Sequence, residues 1–426
     1  MKANDERVPV WLIYLLSISL FFLPLAINNA LLTILLVYCA FTTRLKDITG
    51  NLLHNKYTQV LVLVFAAQVA GFVNTTNISS GLFMLEKKIS FLLIPIFLMP
   101  ALQNRGLDFN IIFKRIGEIC LYGSLVLICI GLFRKFILQY EKAFYFESFR
   151  SFEGFSPIHY VYFALFFGCG SLFFIESMFS VLVKRKFGYA IISGVFAYCT
   201  CIMILVSSKT GILAFIAGSI VLLYFKMRNR KIFAVSIILI LISSLALLYF
   251  NQTTRDRFLL GLNHDLSIFT VEGLPNDLEF TDLNMRLVFW KISLKHLFLD
   301  NLALTGVGTG DVQDYLDTLF MLPQYQITGY LGWNSHNQWI YTLVQLGLLG
   351  MFSLALVFLY PLYKCLRSGD VKFLIFLIFS LAFSLSEAIF EVNKGIVFFC
   401  LFLTIFAASE QEAKKSKSTS LQNILR

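Results

Sequence analysis

No group of Cys and His in this chain has zinc-ligand spacing, and no H-E-x-x-H run occurs. That excludes the common helical zinc sites. No Asp-x-Asp pair is present, so the divalent-cation clamp that many nucleotide-sugar transferases need is missing. Cysteines number eight: Cys39, Cys120, Cys129, Cys169, Cys199, Cys201, Cys365 and Cys400. None falls in the long polar stretch of the second half, so a disulfide framework is not expected. Cys199 and Cys201 sit inside an apolar run and read as packing residues. Internal repeats are absent. So are the ~10-residue alternating segments of a membrane barrel, and no A-x-A-like cleavage site follows the first apolar run. Charge is scarce as well, at 14% of 426 residues.

Apolar surface takes its place. Hydrophobic residues make up 58% of the chain, and phenylalanine alone contributes 46. Runs of ~15–20 apolar residues recur throughout, the length that crosses a bilayer as a helix. Each helix satisfies its own backbone hydrogen bonds in lipid. The expected fold class is all-α: a polytopic membrane protein of about 12 transmembrane helices with one large periplasmic loop containing short amphipathic helices. Spans are expected near 8–25, 28–43, 57–73, 89–102, 116–132, 158–181, 189–206, 212–225, 232–249, 338–359, 373–388 and 395–408.

The net charge of +10 raises nucleic acid as a partner, but its distribution excludes that reading. With twelve spans and the amino terminus inside, most Lys and Arg fall in cytoplasmic turns, for example Lys184-Arg185-Lys186 and Lys226 to Lys231. Most acidic residues fall outside. This is the positive-inside bias. It places both termini in the cytoplasm. The domains are then 1–249 (helices one to nine), 250–335 (the outer loop), 336–409 (helices ten to twelve) and 410–426, a polar Lys/Ser-rich tail expected to be disordered.

A loop as long as 250–335 is more often functional than passive. Asn284 to Phe298 reads as an amphipathic helix suited to the interface plane. Gly306-x-Gly308-x-Gly310-Asp311 marks a tight turn, and Asp311 to Leu322 a second helix with Val312, Tyr315, Leu316 and Leu319 on one side. The topology gathers several polar groups on the outer face: His336 and Asn337, Arg286, Lys209, His159, Glu387 and Glu391, with Asn393 and Lys394. Each has a plain alternative. His336 suits a headgroup interface, Arg286 can snorkel to lipid phosphate, Lys209 can end a helix hairpin, and His159 can neighbour a cap. Glu387 and Glu391 can pair with Lys394. The glycine cluster lacks the strand and lysine of a phosphate loop and reads as a turn. Without a metal clamp, a lipid-diphosphate donor is favoured over a nucleotide. Guanidinium and ammonium groups would then hold its charge.

His336-Asn337, followed by nine residues and Gly347-x-x-Gly350, resembles the signature of the O-antigen ligase / O-antigen polymerase superfamily. Arg286-x-x-x-Trp290 with Gly306 to Gly310 looks like its loop region. Ser208-Lys209-Thr210-Gly211 looks like its small-residue/Arg/Gly turn, and Phe155 to Tyr160 is similar to a His-Pro-x-Tyr stretch of some members. Glu387 through Gly395 resembles the closing hairpin, while the first ~110 residues match only in hydropathy. The resemblance implies a membrane glycosyltransferase in the bacterial inner membrane. It would move a glycan from undecaprenyl diphosphate to a hydroxyl of the lipid A-core on the periplasmic face. The reaction would be metal-independent, inverting and free of cofactors. The rival within the family is a polymerase joining carrier-linked repeats. His336 and Arg286 would be catalytic. Lys209, Asn337, Arg255, Arg257, His159 and Glu387 would bind substrate. Lys209 stands where the family commonly has arginine, keeping the charge without the planar fork; Arg255 and Arg257 could compensate. A lipid-linked glycan transporter is the reading of another class. It would predict paired charges at mid-membrane depth and matching halves; deep charges are scarce in this chain, and its halves do not look alike.

Overall fold

The computed structural model describes residues 8–103, 105–139, 159–227 and 264–424, with scattered positions between 229 and 259, and side chains as far as 415. The described residues are helical, with no strand among them. The helices are α1 (Val8–Phe22), α2 (Leu25–Thr42), α3 (Leu45–His54), α4 (Lys56–Gly71), α5 (Ile78–Lys88), α6 (Phe109–Phe136), α7 (Tyr160–Leu182), α8 (Gly188–Val206), α9 (Lys209–Lys226), α10 (Asp282–Leu299), α11 (Val312–Phe320), α12 (Gln338–Ser368), α13 (Val371–Ser386) and α14 (Asn393–Ile424). Among described residues, eight segments of 18 residues or more are apolar enough to cross a membrane, against the twelve spans expected. α1 and α13 are apolar but shorter. The span expected at 232–249 lies largely outside the described residues. The one expected at 89–102 is broken into Ser90–Leu93, a π-turn over Ile94–Leu98, and Met99–Leu102. Pro95 and Pro100 remove backbone donors there, which accounts for the interruption.

Two apolar cores result. The larger runs through the bundle and is rich in phenylalanine from α7, α13 and α14. Phe376, for example, lies within 6.0 Å of Phe398, Phe399, Phe402 and Phe406, ring centre to ring centre. The smaller core belongs to the segment between α9 and α12. Val288, Phe289 and Ile292 of α10 and Val312, Leu316 and Phe320 of α11 pack with Tyr341 and Val344 of α12. α10 is therefore docked on protein. Its Lys291 ammonium donates to the carbonyls of Val271 and Gly273, at 2.7 and 2.5 Å. Within the bundle, Glu176 of α7 binds Lys226 of α9 and Lys372 of α13. The tail departs from expectation: α14 continues to Ile424, and Glu410 pairs with Lys364 and Lys414. Helix-side pairing of this kind is open to a charged sequence once the preceding turn is already helical.

The Gly347 position of the sequence motif is a break in α12, with φ +59° and ψ −150°. Residues 303–308 of the loop fill the break. Val307 N–H donates to the Val344 carbonyl (2.9 Å), Gly308 N–H to Gln345 (3.0 Å), and Leu348 N–H to Ala303 (3.1 Å). Backbone groups freed from a helix in an apolar setting need such partners. A Cβ on Gly347 would lie 2.3 Å from the Leu304 carbonyl oxygen. Gly347→Ala is therefore expected to destabilise the protein by about 1–3 kcal/mol. A thermal unfolding midpoint in detergent equal to that of the parent would show that the close approach is not limiting.

Candidate active site

Asn337 starts the site. Its side-chain oxygen accepts from the N–H groups of Trp339 and Ile340, capping α12, and its amide nitrogen donates to Leu385 at 3.0 Å. Both ends of this amide are thus engaged in structure. The substrate-binding role expected for Asn337 gives way to an N-cap. Gln338 accepts from Phe390 N–H (2.7 Å) and Trp339 donates to Ser384 (3.0 Å). Three successive side chains therefore fasten the start of α12 to residues 384–390, the turn that carries Glu387.

His336 precedes this cap in a left-handed conformation, φ +47°. Such strain in a non-glycine residue persists only when its surroundings over-determine it. Asn334 accepts from its N–H at 2.8 Å, and Trp290 donates to the carbonyl of Ser335 at 2.8 Å. Phe289 stacks on its ring at 6.2 Å and Trp333 lies 5.5 Å away. The imidazole Nδ1 is 2.9 Å from Glu387 Oε2, while Arg286 donates to Glu387 Oε1 at 2.6 Å. A carboxylate paired with a guanidinium only accepts, so the ring proton on this edge sits on Nδ1, and in the neutral tautomer Nε2 is the acceptor. The three side chains are 14–27% exposed: sheltered, yet open to a substrate.

Glu387 borders two cavities. One is lined by Tyr160 and Val161, Lys209 and Thr210, and Asp282 and Leu283, with Arg286 and Glu387. The first three pairs are the opening residues of α7, α9 and α10. Three helix amino termini thus meet around one space, each with N–H groups and a positive dipole end. Ser207, at φ +56°, turns the chain into α9, Ser208 caps Gly211 N–H, and Thr210 donates to Ser386 at 2.8 Å. The other cavity, about 310 Å³, is lined by His159, Tyr162, Asn334, His336, Glu387, Ala388, Val392 and Lys394.

The structure therefore brings together His336, Arg286, Glu387, Lys209 and His159. Arg255 is elsewhere: it pairs with Asp256 at 3.5 Å and lines neither cavity. An exposed arginine next to an aspartate finds its partner locally. Arg257 lies outside the described residues. The pairing of the outer glutamates with Lys394 is also corrected. Glu387 takes Arg286 and His336, Glu391 takes Lys88, and Lys394 donates to the carbonyls of Ser19, Leu20 and Leu23 at the end of α1. Exposed carbonyls at a helix carboxyl terminus attract an ammonium as a carboxylate does. The glycine cluster is the turn expected, tied by its backbone to α12 and to the end of α4. Sequence reasoning missed Trp290 and Phe289 as supports of His336; only their placement one turn from Arg286 hinted at it. His296, near Tyr325, lines neither cavity, and burial holds its pKa below the ordinary imidazole value.

Residues 194–355, which hold Lys209, Arg286 and the His336 motif, match the family model described as O-antigen ligase. Over that segment, well under half of the chain, the sequence is similar to the O-antigen ligase family. A comparison with curated proteins finds no match. Members of this superfamily are membrane glycosyltransferase-like enzymes, ligases or polymerases, and the polytopic helical architecture agrees with that class. The matched segment runs from within α8 into α12. It holds most of the first cavity's lining, while Glu387, His159 and Lys394 lie outside it.

Proposed function

We propose that this protein acts as an O-antigen ligase-type enzyme and transfers a glycan from undecaprenyl diphosphate to a hydroxyl of the lipid A-core, at the periplasmic face of the bacterial inner membrane, without a metal. The observation that carries the reading is the placement of Glu387 between two cavities, with Arg286 on one oxygen and His336 on the other. The cavity of three helix termini, Lys209 and Arg286 suits a diphosphate, whose negative charge grows as the glycosidic bond breaks. The cavity of His336 suits the acceptor. A sugar hydroxyl is a weak nucleophile, and the free Nε2 of a neutral imidazole can take its proton. Glu387 fixes the ring tautomer and stabilises the imidazolium that forms. The hydroxyl oxygen attacks the anomeric carbon from the face opposite the diphosphate. The new C–O bond forms as the old one breaks, the proton passes to His336, and the diphosphate leaves with its charge on Arg286 and Lys209. One displacement inverts the anomeric centre. A polymerase would use the same chemistry with a carrier-linked repeat as acceptor.

The test is a chromosomal deletion with surface glycans run on a gel. Lipid A-core without polymer, with carrier-linked polymer accumulating, is the expected result, and transfer by membranes of the complemented strain should survive a chelator. Core bearing a single repeat would identify a polymerase instead. An unchanged glycan ladder would remove the reading altogether.

A further inference from the structure

Behind the site lies a buried ion pair that the chemistry above does not use. Lys88, the last residue of α5, has a side chain 2% exposed, and its ammonium donates to Glu391 Oε1 at 2.6 Å. It also donates to Gln345 Oε1 at 3.1 Å and lies 5.9 Å from the Tyr341 ring centre. Gln345 Oε1 accepts from Gln68 of α4 at 3.2 Å, and Gln345 Nε2 donates to the Thr309 carbonyl at 3.0 Å. Thr309 Oγ1 closes the ring by donating to the Gln68 carbonyl at 2.6 Å.

The members of this network come from α4, α5, α12, the glycine loop and the turn after α13. Two of these segments carry the site. Glu391 is four residues beyond Glu387 in one turn, and Gln345 lies in α12, nine residues beyond His336, which directly precedes that helix's cap. The ammonium therefore bridges the segment that holds the carboxylate and the segment that holds the imidazole. Fold stability alone does not account for it. Withdrawing two charges from water is unfavourable unless the pair is fully satisfied. Even when paired, two such charges give up their hydration, so the pair adds little net stability over apolar side chains of the same shape. A pair retained on such terms has a use in geometry.

Resting on the proposed function, we infer that Lys88 is a positioning residue: through Glu391 and Gln345 it sets the spacing of Glu387 and His336. It touches neither donor nor acceptor. Its loss acts mainly on the chemical step: the diphosphate cavity keeps Lys209, Arg286 and its three helix termini, and only its Glu387 edge shifts.

The experiment compares parent, Lys88→Met, Lys88→Met/Glu391→Gln and Lys88→Arg, purified as full-length protein in lipid nanodiscs, with carrier-linked glycan as donor and lipid A-core as acceptor. Lys88→Met alone strands a buried carboxylate and is expected to fold poorly. The double variant removes both charges at similar shape and is expected to fold as the parent does. Its kcat should fall about 10- to 100-fold, as for a misplacement near 1 Å, with donor KM within about threefold, the signature of an interaction expressed in the transition state. Lys88→Arg, which keeps the pair, should recover part of kcat. A double variant with the parent's kcat, or one whose loss lies wholly in donor KM, overturns the inference. So does a double variant that fails to fold, because the pair would then be holding the bundle together. If the parent itself transfers nothing between these substrates, the functional reading fails first, and the two failures are thereby told apart.

Discussion

His336→Ala is expected to lower glycan transfer by about 10²- to 10⁴-fold, the range for loss of a positioned general base, while the protein still inserts and folds. The ring projects from a left-handed residue already capped on both sides by Asn334 and Asn337, so its removal leaves the α12 cap intact. Alanine does remove the partner of Glu387 Oε2, but Arg286 remains on Oε1, and no buried charge is stranded. Activity should fall without a matching fall in thermal stability. Transfer at the parent rate would take the imidazole out of the mechanism. Equal losses of activity and of folded protein would reduce it to a structural role.

Arg286→Ala is expected to cost about 10²- to 10³-fold, comparable to loss of one strong electrostatic donor at a site of developing charge. Two effects add here. The first cavity loses its guanidinium, and Glu387 loses the partner that keeps it an acceptor toward His336. Lysine at this position restores the charge but not the fork, so Arg286→Lys should recover only part of the rate. Donor kinetics with purified protein would show both effects. An alanine variant with unchanged donor use would count against a diphosphate in that cavity.

Much of this site was readable from residues because membrane sequences punish stray polarity. His336, Arg286, Lys209, His159 and Glu387 stood out as polar groups at the edges of apolar runs, and one face of the bundle collects them. What stayed hidden was pairing. Lys88 and Glu391 are separated by most of the chain, and no local pattern joins them. Asn337 belongs to the motif that carries the family resemblance, yet an asparagine directly before a helix is also a cap, and its contacts are those of a cap. Arg255 looked useful only through charge, which says nothing of where a side chain points. In the fold, hydropathy located the apolar segments but did not register that Pro95 and Pro100 interrupt one of them. The polar tail looked disordered by composition, whereas an already formed helix carries it onward.

The break at Gly347 bears on how the protein could be re-engineered. Residues 303–308 supply hydrogen bonds that α12 lacks at that point, so the loop between α9 and α12 is not an exchangeable cartridge clipped onto a finished bundle of helices. A chimera that imports a relative's loop must import the matching interruption with it, and donor and recipient are interchangeable only as that composite piece.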